Sequence, residues 1–108
     1  MAQNFRRNTQ NNVGTSVENV YSADSYDTIV GIALTNVSGS SINVDCYIND
    51  GSNDIYLVKN APIPVGSQLQ LIDGGAKIVV QNGDVIKVKS DVASSCDVWI
   101  SAVDSIST

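Results

Sequence analysis

Histidine is missing from this chain altogether. That removes the usual general base at neutral pH, every Ser-His or Cys-His nucleophile pair and the commonest metal ligand. The residues left with chemical potential are a pair of cysteines, one Asp/Asn-rich loop, a few aromatics and two adjacent arginines. Cys46 and Cys96 share the apolar parity of their segments, so each reads as a small core hydrophobe. A disulfide is the alternative if their strands face each other, because sequence does not supply the Cα separation a bridge requires. Asn49, Asp50, Asn53 and Asp54 gather oxygens around Gly51, as a Ca²⁺ loop does. Their spacing does not fit a twelve-residue EF-hand loop, and these residue types dominate hairpin turns for conformational reasons. Asp73-Gly74-Gly75 and Asn82-Gly83 begin no helix, so they read as turns and not as phosphate cradles. No catalytic, cofactor or metal site is expected, and no enzyme.

Recognition chemistry is better represented. Tyr47, Tyr56 and Trp99 take the parity opposite to the core runs, so all three are expected on outer faces. Exposed aromatics of this kind mark contacts with other proteins. For Trp99 two other readings stand: packing beneath the N-terminal segment or a loop, and stacking against a sugar. Phe5 beside Arg6 and Arg7 combines an apolar anchor with two multi-donor guanidiniums, and these six residues form the candidate interface set. The sequon Asn36-Val37-Ser38 matters only in a secreted protein.

Charge narrows the partners. The chain of 108 residues carries a net charge of −5, and Glu18 is its only glutamate, so nearly all the acid is aspartate in turns. An acidic body repels phosphate backbones, and nucleic acid is not expected as a partner. Arg6 and Arg7 are the only charged side chains in residues 1–12, which makes a basic tip on an acidic body. The start lacks the apolar h-region of a secretory signal, and no run approaches the ~18 apolar residues of a membrane span. Neither export by its own signal nor membrane insertion is expected, and in a reducing cytosol the cysteines are free thiols.

The elements that must hold these residues are strands. Residues 1–12 have no periodicity and little apolar content, so they read as a flexible N-terminal arm, either a loose tail or a segment that orders on a neighbour. Residues 13–108 form the body. Val17, Val20 and Tyr21 mark a first short strand. Tyr26 to Asn36 is apolar on both parities around Ile29 to Leu34, which predicts a central strand covered on both faces. Ser41 to Asn49 alternates cleanly, with Ile42, Val44, Cys46 and Ile48 on one side. Asp50-Gly51 then predicts a hairpin into Asp54 to Asn60. Pro62 and Pro64 suit an extended crossing between sheets. Leu69 and Leu71, then Ile78 and Val80, then Ile86 and Val88 follow with turns between them, and Cys96 to Val103 closes the chain. About eight strands and no helical window predict an all-β fold, an antiparallel two-sheet sandwich of jelly-roll or immunoglobulin type.

The run KNAPIPVGSQLQLIDGGAKIVVQNGDVIKVKSDVASSCDVWIS, Lys59 to Ser101, resembles a family of small virion structural proteins of tailed bacteriophages, including marine and cyanobacterial phages. The opening MAQNFRRNTQNNVGTSVENVY resembles the start of the same proteins. The combination of an APIP-x-G step, a Gly-rich turn and a GD-x-IKV-x-S-D strand pair carries the likeness, and the chain departs from it at Cys96 and Trp99. The resemblance implies a non-enzymatic particle component. Its leading form is a capsid decoration or cement protein on the virion, bound to the major capsid protein, with a homotrimer favoured and Phe5, Arg6 and Arg7 reaching between subunits. A neck, tail or fibre-base component is the alternative in the same class, and a carbohydrate-binding adhesion module the alternative in another.

Overall fold

The computed structural model describes residues 4–72 and 77–107. The expected turn at Asp73-Gly74-Gly75 and the first three residues of the expected arm lie outside them. Among the described residues nine strands follow in chain order: β1 Asn4–Val13, β2 Glu18–Ser22, β3 Tyr26–Asn36, β4 Ile42–Asn49, β5 Asp54–Ile63, β6 Gln68–Ile72, β7 Ile78–Val80, β8 Val85–Ser90 and β9 Cys96–Ser107. They form two antiparallel sheets. The first, sheet A, runs β1-β9-β3-β6 with β7 also on β3; the second, sheet B, runs β2-β8-β4-β5. Strands β6 and β7 lie end to end along one edge of β3, β6 pairing with Ile32 to Thr35 and β7 with Asp27 to Ile29. The chain is an all-β, sandwich-like fold, as its alternation predicts.

The core lies where the two inner faces meet. Cys96, Val98, Ile100 and Ala102 of β9 and Ile86 and Val88 of β8 point inward, while Trp99, Lys87 and Lys89 point outward, the two-residue period of a half-buried strand. Ile29, Ile32, Leu34, Ile42 and Val44 complete the centre. Each fully buried isoleucine contributes about 2–3 kcal/mol relative to exposure. Cys46 and Cys96 are buried free thiols within this core.

Three local features depart from simple alternation. Residues 4–12, most of the expected arm, form with Val13 an edge strand paired with β9 from Asn4↔Asp104 to Val13↔Cys96. Main-chain pairing supplies what the side chains lack, and the strand's end is tied down where Ser95 N donates to the Val13 carbonyl at 3.0 Å and Ser90 N to that of Gly14 at 2.9 Å. A Cβ on Gly14 would sit 3.1 Å from Ser94 N, so glycine permits this close approach. In β3 the register with β9 shifts between Ile29 and Gly31, which lets Ile29 and Ile32 both face the core. Apolar residues on both parities therefore report a bulge that switches parity, not a strand covered on both sides. In β4 the pairing with β5 shifts on either side of Cys46, and Cys46 and Tyr47 are both buried, Tyr47 outside the core cluster.

The turn chemistry is as expected. Gly51 and Gly83 adopt φ of +97° and +96°, the left-handed region that Asp-Gly and Asn-Gly hairpins require. Asp50 Oδ1 accepts from the main-chain N–H of Ser52 and Asn53 at 3.0 and 2.8 Å, so the oxygens once considered for Ca²⁺ close a turn. Pro62 still belongs to β5, opposite Asn43, and the following residues carry the chain from sheet B to sheet A.

Candidate functional site

The six candidate interface residues fall into three places. Phe5, Arg7 and Trp99 stand on the outer face of sheet A; Phe5 is 86% and Trp99 51% exposed. The Arg7 guanidinium lies 5.5 Å from the centre of the Trp99 ring, a cation–π contact across adjacent strands. Tyr56 is on sheet B, exposed, with Lys59 Nζ 4.7 Å from its ring centre. Tyr47, expected outside, is only 8% exposed: its cross-strand partner Tyr56 tilts over it at 4.8 Å between ring centres. Burial and the nearby Asp54 carboxylate raise the Tyr47 phenol above its ordinary pKa.

Arg6 occupies the third place, turned inward. Its Nη1 is 3.2 Å from Asp104 Oδ2 and 3.6 Å from Asp24 Oδ1, and its guanidinium lies 5.3 Å from the Tyr21 ring centre. Around it sits a polar cluster that joins the two sheets at one end of the sandwich. Tyr21 of β2 donates to Asp27 Oδ2 of β3 at 2.6 Å, and the Ser25 hydroxyl contacts both Asp27 Oδ1 and Asp104 Oδ1 at 2.8 Å. The Asp104 carboxyl is held down to about 2, first by its hydrogen bond with the Asp27 carboxyl, then by Ser25 and Arg6. Burial, then the bond to Asp27, raises the Tyr21 phenol well above its usual value. Carboxylate oxygens of Asp24, Asp27 and Asp104 lie within 4.8 Å of one another. The surrounding Arg6, Ser25 and Tyr21 already donate to these oxygens, so the cluster is a structural tie.

The cysteines offer little nucleophilicity. Burial pushes the Cys46 thiol up to about 12 and the Cys96 thiol to about 11, so neither is a thiolate at neutral pH. The sequon is closed as well. Asn36 is 2% exposed, its amide donates to the Ser40 and Ile63 carbonyls at 2.7 and 2.9 Å, and its Oδ1 accepts from Ser38 N at 2.9 Å. Among the described residues no buried side-chain nitrogen or oxygen lacks a partner, which is the expected state of a folded interior.

A concavity lies beside Trp99. A shallow depression of about 800 Å³ is bordered by Arg7, Gln10, Asn11, Gln68, Asp97 and Trp99 with Ala33 and Thr35 below. A smaller one of about 150 Å³ continues over Gly31, Ala33 and Ser101 to Gln70. Sequence reasoning singled out Trp99 and Arg7 but missed the small-residue floor and the amide rim, since those come from β3 and β6. It also missed Asp27, though an aspartate two residues before Ile29, on the same inward parity, is a readable signal of a buried polar tie.

The fold defines the chain as a two-sheet antiparallel sandwich, and comparison with solved structures places it beside a viral protein. A chain from the acidic stable capsid structure of Helicobacter pylori bacteriophage KHP30 superimposes with a TM-score of 0.60 at 10% sequence identity, over 95% of this chain and 87% of that one. At that identity the likeness is one of fold. No protein-family model and no curated relative matches the sequence.

Proposed function

We propose that this chain is a structural component of a bacteriophage particle, a decoration or cement protein that binds the assembled capsid shell and stabilises it. The observation that carries this reading is the match, nearly end to end on both sides, to a chain of a phage capsid structure. The sequence resemblance to small virion proteins points the same way and rests on residues rather than on fold. The surfaces are consistent with assembly: Phe5 and Val79 are 86% and 62% exposed, apolar groups that standard interfaces bury. In this reading the partner is the major capsid protein, the protein acts as a homotrimer, and it performs no catalysis. Phe5 and Arg7, projecting from β1, make the contacts between subunits. Binding the assembled lattice in preference to free subunits stabilises the shell by mass action.

Reconstitution tests the reading. Particles stripped of this protein are expected to lose resistance to heat, and the purified chain to restore it. Stripped particles as heat-resistant as intact ones would refute the cement role.

A further inference from the structure

We propose that the trough beside Trp99 on the outer face of sheet A is a binding site for a neutral saccharide. The inference goes beyond the capsid reading and does not depend on it.

Trp99 separates the two adjoining depressions and lines both, and Ala33, its partner across β3 and β9, forms part of the floor of each. Beyond it the next pair is Gly31 opposite Ser101, again small. A Cβ on Gly31 would meet Ser101 Cβ at 3.8 Å, an ordinary contact, so the open floor is a property of side-chain size and not of a crowded backbone. A half-exposed indole thus stands as a wall beside a low floor.

The rim decides the class of ligand. Gln68 and Gln70 each offer an amide with donors and an acceptor in one plane, which suits neighbouring hydroxyl groups. Gln70 already donates to Gln68 Oε1 at 2.8 Å, so the pair is pre-oriented. The charged groups at the site, Arg7 and Asp97, are of opposite sign, and Asp97 Oδ1 is engaged by Asn12 N at 3.0 Å. Such a lining favours a ligand without net charge, and the −5 of the whole chain disfavours acidic polymers. The floor strands β3 and β9 are paired on both sides, so an extended peptide could add only at the β1 and β6 edges and not over the floor. The floor, the indole and the amides suit a flat body with a C–H face for the ring and hydroxyls for the amides, which is a pyranose.

Trp99 is the only tryptophan, so its emission reports on the site directly. The full chain is titrated with the methyl glycosides of glucose, galactose, mannose and N-acetylglucosamine, with neutral trisaccharides of each, and separately with sialylated and phosphorylated sugars and with purified capsid protein. A saturable change with at least one of them is expected. Ala33→Leu, which fills the floor and leaves the reporter in place, is expected to weaken binding at least about tenfold. Gln68→Ala on the exposed edge strand β6 is expected to weaken it severalfold and serves if Ala33→Leu fails to fold. No saturable change with any probe overturns the assignment, as does equal binding by wild type and the folded variants. A response confined to sialylated or phosphorylated sugars overturns the neutral class, and a Trp99 response only to a purified capsid protein would make the trough a protein interface.

Discussion

Arg6 and Arg7 are neighbours on one strand and do opposite things. Alternation sends them to opposite sides of β1. Arg6 meets Asp104, Asp24 and the Tyr21 ring, in a cluster where donors and acceptors are matched across both sheets. Arg7 makes no ion pair among the described residues and rests over a half-exposed tryptophan beside exposed amides. The same side chain holds the fold together in one place and dresses a surface in the other. What stands across the sheet, and how much of its hydrogen-bonding capacity is already committed, decides which.

The contrast can be broken most sharply at Asp27. Replacing this fully buried carboxyl by alanine strands the Tyr21 hydroxyl and removes a Ser25 contact; a loss of about 3 kcal/mol in urea unfolding is expected. Arg6→Ala should cost about 1 kcal/mol, because its ion pairs are partly solvated. An effect of that size for Arg7→Ala and none for Arg6→Ala would reverse the assignment of the two residues.

Acid offers a second handle on the closed end. The Asp104 pKa is depressed to about 2 in the folded chain, below the ~3.9 of a free aspartate. Its contribution is therefore complete above pH ~4 and lost as pH falls through about 2. The urea midpoint should decline across that window in wild type, and less steeply in Asp104→Asn. The smallest effects belong to the open face: Arg7→Ala and Trp99→Ala should each change stability by about 0.5 kcal/mol or less in the same assay, while altering whatever binds there.

Much of the body was legible because its signals are local. Asp50-Gly51 and Asn82-Gly83 name their turns through glycine's left-handed φ, and the alternation from Cys96 to Ala102 names the inner face of β9. What escaped depends on partners distant in sequence. Strand β1 has few apolar groups of its own and is held by main-chain pairing to the far end of the chain, with Arg6 bonded to a residue 98 positions away. The two-parity apolar run of β3 escaped because a bulge resets the parity on which outward and inward readings rest, and Tyr47 keeps its outward parity but is covered by Tyr56 across the sheet. At the candidate site, Trp99 and Arg7 were visible as residue types. Their meeting, and the floor of Gly31, Ala33 and Ser101, exist only through the register of β1, β9 and β3.

The central claim, a structural place on the capsid exterior, is tested most directly by icosahedrally averaged cryo-electron microscopy of purified particles. The account predicts density for a two-sheet sandwich repeated over the capsid lattice, in contact with the major capsid protein and with β1 near the subunit boundaries. Particles whose lattice bears no such density, with the chain found at the neck or tail or not found at all, would contradict it.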